Sequence, residues 1–199
     1  DQSNEAFAKW LDDTTDFYRA EASFVGEHEV QVGEETIHGE TIYIHTGATA
    51  RIPPIPGIEE VSYLDNKGIL SLEELPQHLL VVGGSYVGLE FSQIFRRFGS
   101  RVIVLERGPR IMSREDEDVA EEATRILGDE GIEIICNAQV ESLSPEGGVT
   151  VSATVDGRKR SIAGSHLLMA TGRKPETEGL NLDAAGVSVD ERGFIPVNE

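Results

Sequence analysis

An α/β fold is what this sequence predicts, a parallel sheet with helices plus a separate three-stranded β-meander, and three observations carry that expectation. The first is Leu79-Leu-Val-Val-Gly-Gly-Ser-Tyr-Val-Gly-Leu-Glu-Phe, which reads as a buried strand, a glycine turn and the start of a helix. The second is Arg101-Val-Ile-Val-Leu-Glu106, another apolar strand, ending in an acid. The third is a set of short strands near Gln139 to Leu143, Val149 to Val155 and Arg158 to Ile162, the last two joined by Asp156-Gly157. That dipeptide suits a tight hairpin, whose central residues need positive φ.

In chain order, Phe7, Trp10 and Leu11 have helical spacing, and Phe17 to Val25, Glu29 to Val32 and Thr36 to His38 alternate as short strands between glycine-bearing turns. The chain starts at Asp1 rather than methionine, and strands without a first half read as the tail of a larger domain. Thr41-Ile-Tyr-Ile-His-Thr-Gly-Ala is expected to be a buried strand ending in a Thr-Gly turn. Arg51-Ile-Pro-Pro-Ile-Pro-Gly57 is a stiff connector, because proline fixes φ and lacks the N–H a helix interior or central strand needs. A domain boundary is placed there.

The central motif is a way of holding a dinucleotide. Gly83 permits the tight turn after the strand and Gly88 lets the helix pack close to the sheet. The helix's first N–H groups then face a pyrophosphate. Glu106, 18 residues after Gly88, stands where an acid takes both hydroxyls of the adenine ribose. A phosphate on that ribose would meet a like charge, so NAD is expected over NADP. The pattern departs from G-x-G-x-x-G at Ser85, which crowds the approach to the pyrophosphate. The helix is expected to bury Val87, Phe91, Ile94, Phe95 and Phe98 and to stop at Gly99.

Further on, Glu115-Asp-Glu-Asp118 leads a helix whose buried face is read as Val119, Ala123, Ile126 and Leu127, the acids complementing its dipole. The apolar strand Gly131 to Cys136 precedes the meander. His166-Leu-Leu-Met-Ala is a strand running into Thr171-Gly172-Arg173, and it echoes Ile42-Tyr-Ile-His-Thr-Gly-Ala, 125 residues apart between Gly47 and Gly172. Val187-Ser-Val, a Glu191-Arg-Gly turn and Phe194-Ile-Pro-Val close the chain.

Composition narrows the function. With 36 acids against 17 Lys plus Arg, the net charge of −19 excludes general binding to nucleic acid or acidic membranes. Only four cations are lysines, and an acidic, lysine-poor surface points to a halophilic source, where screening removes self-repulsion. Six of the thirteen arginines lie between Arg96 and Arg114, around the nucleotide motif. They read either as local positive charge for an anion or as a solvated helix face with Arg96, Arg97 and Arg101 outward. No run of about 18 apolar residues exists and the start is too polar for a signal peptide, so a cytoplasmic protein is expected. The lone Cys136 reads as a small core residue, and the five scattered histidines have no metal spacing.

The order of Thr46-Gly-Ala, Pro53-Pro-Ile-Pro-Gly, Gly83-Gly-Ser-Tyr-Val-Gly-Leu-Glu, Glu106 and Ala170-Thr-Gly-Arg-Lys-Pro resembles the flavoprotein pyridine nucleotide-disulfide oxidoreductases, which include lipoamide dehydrogenase and mercuric reductase. The resemblance implies that residues 1–57 are the last part of a split FAD domain. Residues 58–173 would be a Rossmann-like NAD domain and residues 174–199 a return to the FAD domain. It makes Gly83, Gly84, Ser85, Tyr86, Val87 and Gly88 the pyrophosphate cradle and Glu106 the ribose acceptor, with Arg107 beside it. Val140 would lie near adenine and Gly172 near the nicotinamide half. Tyr86 would cover the nicotinamide pocket, Glu90 would pair with a flavin-domain lysine, and Thr46 and Gly47 would skirt FAD. His45 replaces the small residue more usual there.

The family's first glycine fingerprint, redox cysteine pair, later flavin motif and C-terminal dimerisation domain with its His-Glu pair are not in this sequence. The expectation is therefore a colourless, inactive fragment of a homodimeric enzyme. The parent would exchange hydride between NAD(H) and FAD, coupled to a dithiol. Glu106 favours lipoamide dehydrogenase, whereas the Ala-Thr-Ala-Arg-Ile-Pro-Pro-Ile-Pro-Gly connector is more like mercuric reductase. An NAD-binding module without chemistry of its own is the alternative of another class.

Overall fold

The computed structural model describes residues 2–198, with side chains from Glu5. Asp1 lies outside the described residues. The elements are α1 (Gln2–Thr14), β1 (Ala22–Gly26), β2 (Glu29–Val32), β3 (Glu35–His38), β4 (Ala48–Ala50), β5 (His78–Val82), α2 (Tyr86–Phe98), β6 (Arg101–Leu105), α3 (Glu117–Asp129), β7 (Glu133–Ile135), β8 (Ala138–Ser144), β9 (Val149–Val155), β10 (Arg158–Gly164), β11 (His166–Met169) and β12 (Arg173–Pro175). They gather into two compact units, residues 1–49 with 174–199, and residues 50–173.

The unit of residues 50–173 is built on a parallel sheet in the order β11-β5-β6-β7. After its first residue each strand is an unbroken apolar run, because both faces are covered. Successive side chains alternate between those faces. Leu80, Val82, Ile103, Leu105, Leu167 and Met169 face one core with Val149, Val151, Ala153 and Val155 of the meander. Leu79, Val81, Val102, Val104 and Leu168 face the other, with Leu89 of α2, Leu127 of α3 and the loop residue Ile111. The meander runs β10-β9-β8, antiparallel throughout. Its hairpin at Asp156 and Gly157 has φ of 47° and 76°, as the dipeptide predicts.

The connector packs against the meander. Ile55 is buried in the meander-side core, and Leu143 N–H donates to the Pro56 carbonyl at 2.8 Å. Gly57 is required there: its φ is 83°, and a Cβ would lie 2.0 Å from the Leu143 carbonyl oxygen.

In the other unit β1, β2 and β3 form an antiparallel sheet. The C-terminal segment joins β1, since Phe24 N–H donates to the Leu180 carbonyl at 2.8 Å and Asn181 Nδ2 donates to the Phe24 carbonyl at 2.7 Å. Phe24 and Leu182 are the buried apolar residues of this arrangement.

Four local expectations are corrected. Residues 41–47 form no strand; Tyr43 is 89% exposed, and ladder pairing reaches only the end of this stretch, where the Gly47 carbonyl accepts Glu176 N–H beside the β4–β12 pair. The first strand covers Ala22–Gly26 only, leaving Phe17 and Tyr18 exposed on irregular chain. On α2 the buried stripe is Gly88, Leu89 and Ser92, flanked by half-buried Phe91 and Phe95, while Ile94 and Phe98 face solvent. Ser92 enters the core because its hydroxyl donates to the Gly88 carbonyl at 2.6 Å. On α3 Ala120 and Leu127 are buried, whereas Val119 and Ile126 are exposed. The stop at Gly99 is as expected: φ is 110°, Gly99 N–H donates to the Arg96 carbonyl and Ser100 N–H to that of Phe95.

Candidate functional site

Strand β5 delivers the chain to a turn that only glycines can make. Gly83 has φ of 115°, and a Cβ there would sit 2.2 Å from the Ala170 carbonyl oxygen. A Cβ at Gly88 would sit 2.2 Å from the Gly83 carbonyl oxygen, so the first turn of α2 rests on the backbone that precedes it. Gly84 is enforced from elsewhere: a Cβ would lie 2.8 Å from Ile111 Cγ2 and 3.1 Å from Glu106 Cβ. The close approach of strand-end and helix is the geometry a phosphate-binding turn needs.

Ser85 is the N-cap of α2, in extended conformation, and its side chain makes no capping bond. The first N–H groups of α2 therefore have no side-chain acceptor from the cap. Val87 is half-buried, whereas Tyr86 and Glu90 are exposed. These residues stand together at the carboxyl end of β5, where an open parallel sheet offers its crevice.

Glu106 follows the neighbouring strand β6 and is held on both oxygens. Its Oε2 accepts the Gly84 N–H at 2.6 Å, and Oε1 accepts the Gly108 N–H at 2.7 Å. Glu106 and the glycine turn are thus joined directly, and the acid braces the turn. Each carboxylate oxygen retains acceptor capacity for a further donor.

The segment after Glu106 folds back over the turn, which sequence reasoning missed. Met112 N–H donates to the Gly84 carbonyl at 2.8 Å, and Ile111 is fully buried against Gly84. Glu115, read as part of a helix's first turn, precedes α3, whose N-cap is Asp116. Its carboxylate accepts the Tyr86 hydroxyl, a bond that raises the Tyr86 pKa above its ordinary value. Gly108-Pro109 was the available signal for a turn here, and nothing in the pattern marks Glu115 as a partner of Tyr86.

The arginine cluster divides. Arg97 grips Glu130 with two nitrogens, at 2.7 and 3.0 Å, and Arg101 lies 3.6 Å from Glu133. Arg96 is half-buried rather than outward, donating to the Glu130 and Ser100 carbonyls. Arg110 donates to the Glu115 carbonyl at 3.0 Å. Arg107 and Arg114 are exposed beside the turn and form no ion pair among the described residues.

Val140 is half-buried on β8 against the meander-side core. Gly172 is exposed with φ of 122°, its carbonyl accepting Arg51 N–H at 2.9 Å. Thr46 and Gly47 belong to the other compact unit, where the Gly47 carbonyl accepts Glu176 N–H. Cys136 is half-buried at the helix-side core, and burial pushes its thiol pKa up, with Glu106 adding to the effect. Among the described residues no group of three or more His, Cys, Asp or Glu is placed to hold a metal ion, and no helix is long and apolar enough to cross a membrane. An open groove of about 440 Å³, lined by Pro109, Arg110, Glu117 and Thr124 among others, runs along α3 and does not include the glycine turn.

Known proteins share both sequence and fold. The family profile for pyridine nucleotide-disulphide oxidoreductases matches residues 2–199. The chain is 41% identical over 189 residues to the probable pyridine nucleotide-disulfide oxidoreductase RclA of Escherichia coli strain K12, covering 92% of this chain and 42% of that protein. It is 36% identical to the mercuric reductase of Bacillus cereus, covering 98% of this chain and 31% of that protein. It is also 36% identical to the dihydrolipoyl dehydrogenase of Cupriavidus necator, covering 88% and 38%. The solved structure of the HOCl-induced flavoprotein disulfide reductase RclA from Escherichia coli superimposes with a TM-score of 0.83 at 39% identity, over 98% of this chain and 45% of that one. The chain therefore spans less than half the length of these relatives. A glycine turn braced by an acid, inside a mixed α/β fold shared with these relatives, places the chain in the pyridine nucleotide-disulphide oxidoreductase family.

Proposed function

We propose that this chain binds NAD(H) at the β5–α2 turn and that its parent protein exchanges hydride between NAD(H) and FAD, coupled to a redox dithiol. The observation that carries the reading is the Glu106 carboxylate fixed beside Gly84, in a turn whose glycines leave no room for a Cβ. The residues fit the cofactor: the uncapped N–H groups of α2 meet a pyrophosphate, and Glu106 offers its remaining lone pairs to ribose hydroxyls. When bound, the dinucleotide supplies the hydride, and the chain's part is to hold and orient it.

Residues 58–173 are the NAD domain in this reading, with Val140 toward adenine and Gly172 toward the nicotinamide half. Residues 1–57 and 174–199 belong to the FAD domain, Thr46 and Gly47 near the flavin, and Glu90 pairs with a flavin-domain lysine. The parent works as a cytoplasmic homodimer. For its substrate, Glu106 supports dihydrolipoamide, as in the dihydrolipoyl dehydrogenase relative; the second reading is mercuric ion, favoured by the proline connector and by the mercuric reductase relatives. Turnover of the full-length parent with NADH and lipoamide, against NADPH and Hg(II), separates the two.

Cofactor titration tests the core of the proposal. A charge-assisted bond to ribose is worth on the order of 1.5 to 3 kcal/mol, and a 2′-phosphate near Glu106 would be repelled, so NADH should outbind NADPH by about tenfold or more. Because Glu106 also braces Gly84 and Gly108, the variant is Glu106→Gln, which removes the charge and leaves one oxygen for the two backbone N–H groups, so its thermal midpoint is read beside its affinities. It should narrow the NADH preference. Equal affinities in the wild type would contradict the assignment.

A further inference from the structure

We infer that His28 and His38 form a two-imidazole site for a divalent cation of the Zn(II) class, which ties together the open end of the β2–β3 hairpin. The site lies within the unit of residues 1–49 and 174–199 and is independent of the glycine turn.

Ten residues separate the two histidines, a spacing that carries no metal signal by itself, and the sheet register is what joins them. His38 ends β3, with Glu29 as its partner on β2, and His28 stands one residue before β2 in the turn from β1. The pairing continues past the strand ends, since Gly39 N–H donates to the His28 carbonyl at 3.0 Å. Both side chains are exposed, and their ring centroids lie 6.0 Å apart with planes inclined at 37°.

The same backbone sets the chemistry of one ring. His28 Nδ1 lies 3.1 Å from the Gly39 carbonyl oxygen. A carbonyl only accepts, so Nδ1 carries the proton and the neutral ring keeps its lone pair on Nε2. Metal-binding imidazoles are oriented in this way, the second nitrogen donating to a carbonyl that fixes the tautomer and the ring. The His38 ring makes no hydrogen bond among the described residues, so either of its nitrogens can serve.

A metal about 2.0 to 2.1 Å from one nitrogen of each ring stands roughly 3.2 Å from each centroid, which sets the centroids about 4.5 to 5 Å apart for ligand angles between square and tetrahedral. The rings therefore close by about 1 Å on binding, a movement within reach of an exposed side chain turning about its own bonds. Among the described residues no third His, Cys, Asp or Glu is placed to join them, so water completes the coordination. Imidazole ligands suit Zn(II), whereas Mg(II) and Ca(II) take oxygen ligands. Glu27, Glu29 and Glu40 neighbour the pair in sequence and draw cations toward it by charge.

The test is titration of the full chain with Zn(II) in about 0.5 M KCl, which screens the diffuse attraction of a net charge of −19, followed by long-range 1H–15N NMR of the imidazoles. One equivalent should bind saturably, shifting His28 Nε2 and one nitrogen of His38, while exposed His45 stays in place. His28→Ala and His38→Ala should each weaken binding about tenfold or more, because the second imidazole of a pair binds intramolecularly. His45→Ala should leave the affinity unchanged. Zn(II) should also raise the thermal midpoint of the wild type more than that of His38→Ala. If His28→Ala disturbs the turn by losing its bond to Gly39, His38→Ala carries the result, since that ring has no such bond to lose. No saturable shift at the pair, undiminished affinity in His38→Ala, or displacement of Zn(II) by excess Mg(II) would overturn the site.

Discussion

Ile42-Tyr-Ile-His-Thr-Gly and Leu167-Leu-Met-Ala-Thr-Gly share a pattern of apolar residues followed by Thr-Gly, and they take different structures. Leu167 and Leu168 are fully buried, because β11 pairs in parallel with β5 and carries covered faces on both sides. Residues 42–47 lie outside the strands of the described residues, their ladder pairing reaching only the Gly47 carbonyl, and Tyr43 stands in solvent. The pattern specifies a strand only where a neighbour takes its N–H and C=O groups. The same contrast runs through the glycines: Gly83 is wedged against Ala170, whereas a Cβ at Gly47 would meet nothing within 4 Å.

The largest expected effect sharpens that contrast. Gly83→Ala combines a positive φ with a clash against fixed backbone and should destabilise the unit of residues 50–173 by about 4 kcal/mol, or prevent its folding. Gly47→Ala, with φ of 77° and open space, should cost only about 1 to 2 kcal/mol. Urea denaturation of both variants measures the difference, and equal losses would erase the distinction between the two regions.

Next comes side-chain truncation. Leu168→Ala empties a site touched from the helix-side core and should cost about 2 to 5 kcal/mol, whereas Tyr43→Ala should stay within about 0.5 kcal/mol. A Tyr43→Ala loss as large as that of Leu168→Ala would mean that the 41–47 segment is packed in solution.

A smaller effect concerns the charge that both regions share. With a net charge of −19, the chain repels itself in dilute buffer, and the Debye length falls from about 10 Å at 0.1 M to about 3 Å at 1 M. The thermal midpoint should rise in molar KCl, as the halophilic reading requires. An unchanged or lower midpoint in KCl would remove that reading.

The sequence disclosed those parts of the fold that depend on local signals. The β5–turn–α2–β6 order follows from contiguous apolar runs around a glycine turn, and the Asp156-Gly157 hairpin and the Gly99 stop from residues that accept positive φ. The buried stripe of α2 was misplaced because Gly88 and Ser92 do not count as apolar, yet they are what faces the sheet, one by lacking a side chain and the other by bonding its hydroxyl internally. At the candidate site, the tight turn at Gly83, the close packing of the helix at Gly88 and the place of Glu106 after β6 are legible from spacing. The need for glycine at position 84 was not, because it comes from Ile111, 27 residues later and brought there by tertiary folding. Glu115 was hidden for the same reason.

The most direct test is an amide-resolved NMR titration of the chain with NADH. Signals of Gly84, Ser85, Tyr86, Gly88 and Gly108 should shift saturably together, while those of residues 41–47 stay in place. Absence of any saturable change at the glycine turn, or a change centred on Thr46 and Gly47 instead, would contradict the assignment of dinucleotide binding to the β5–α2 turn.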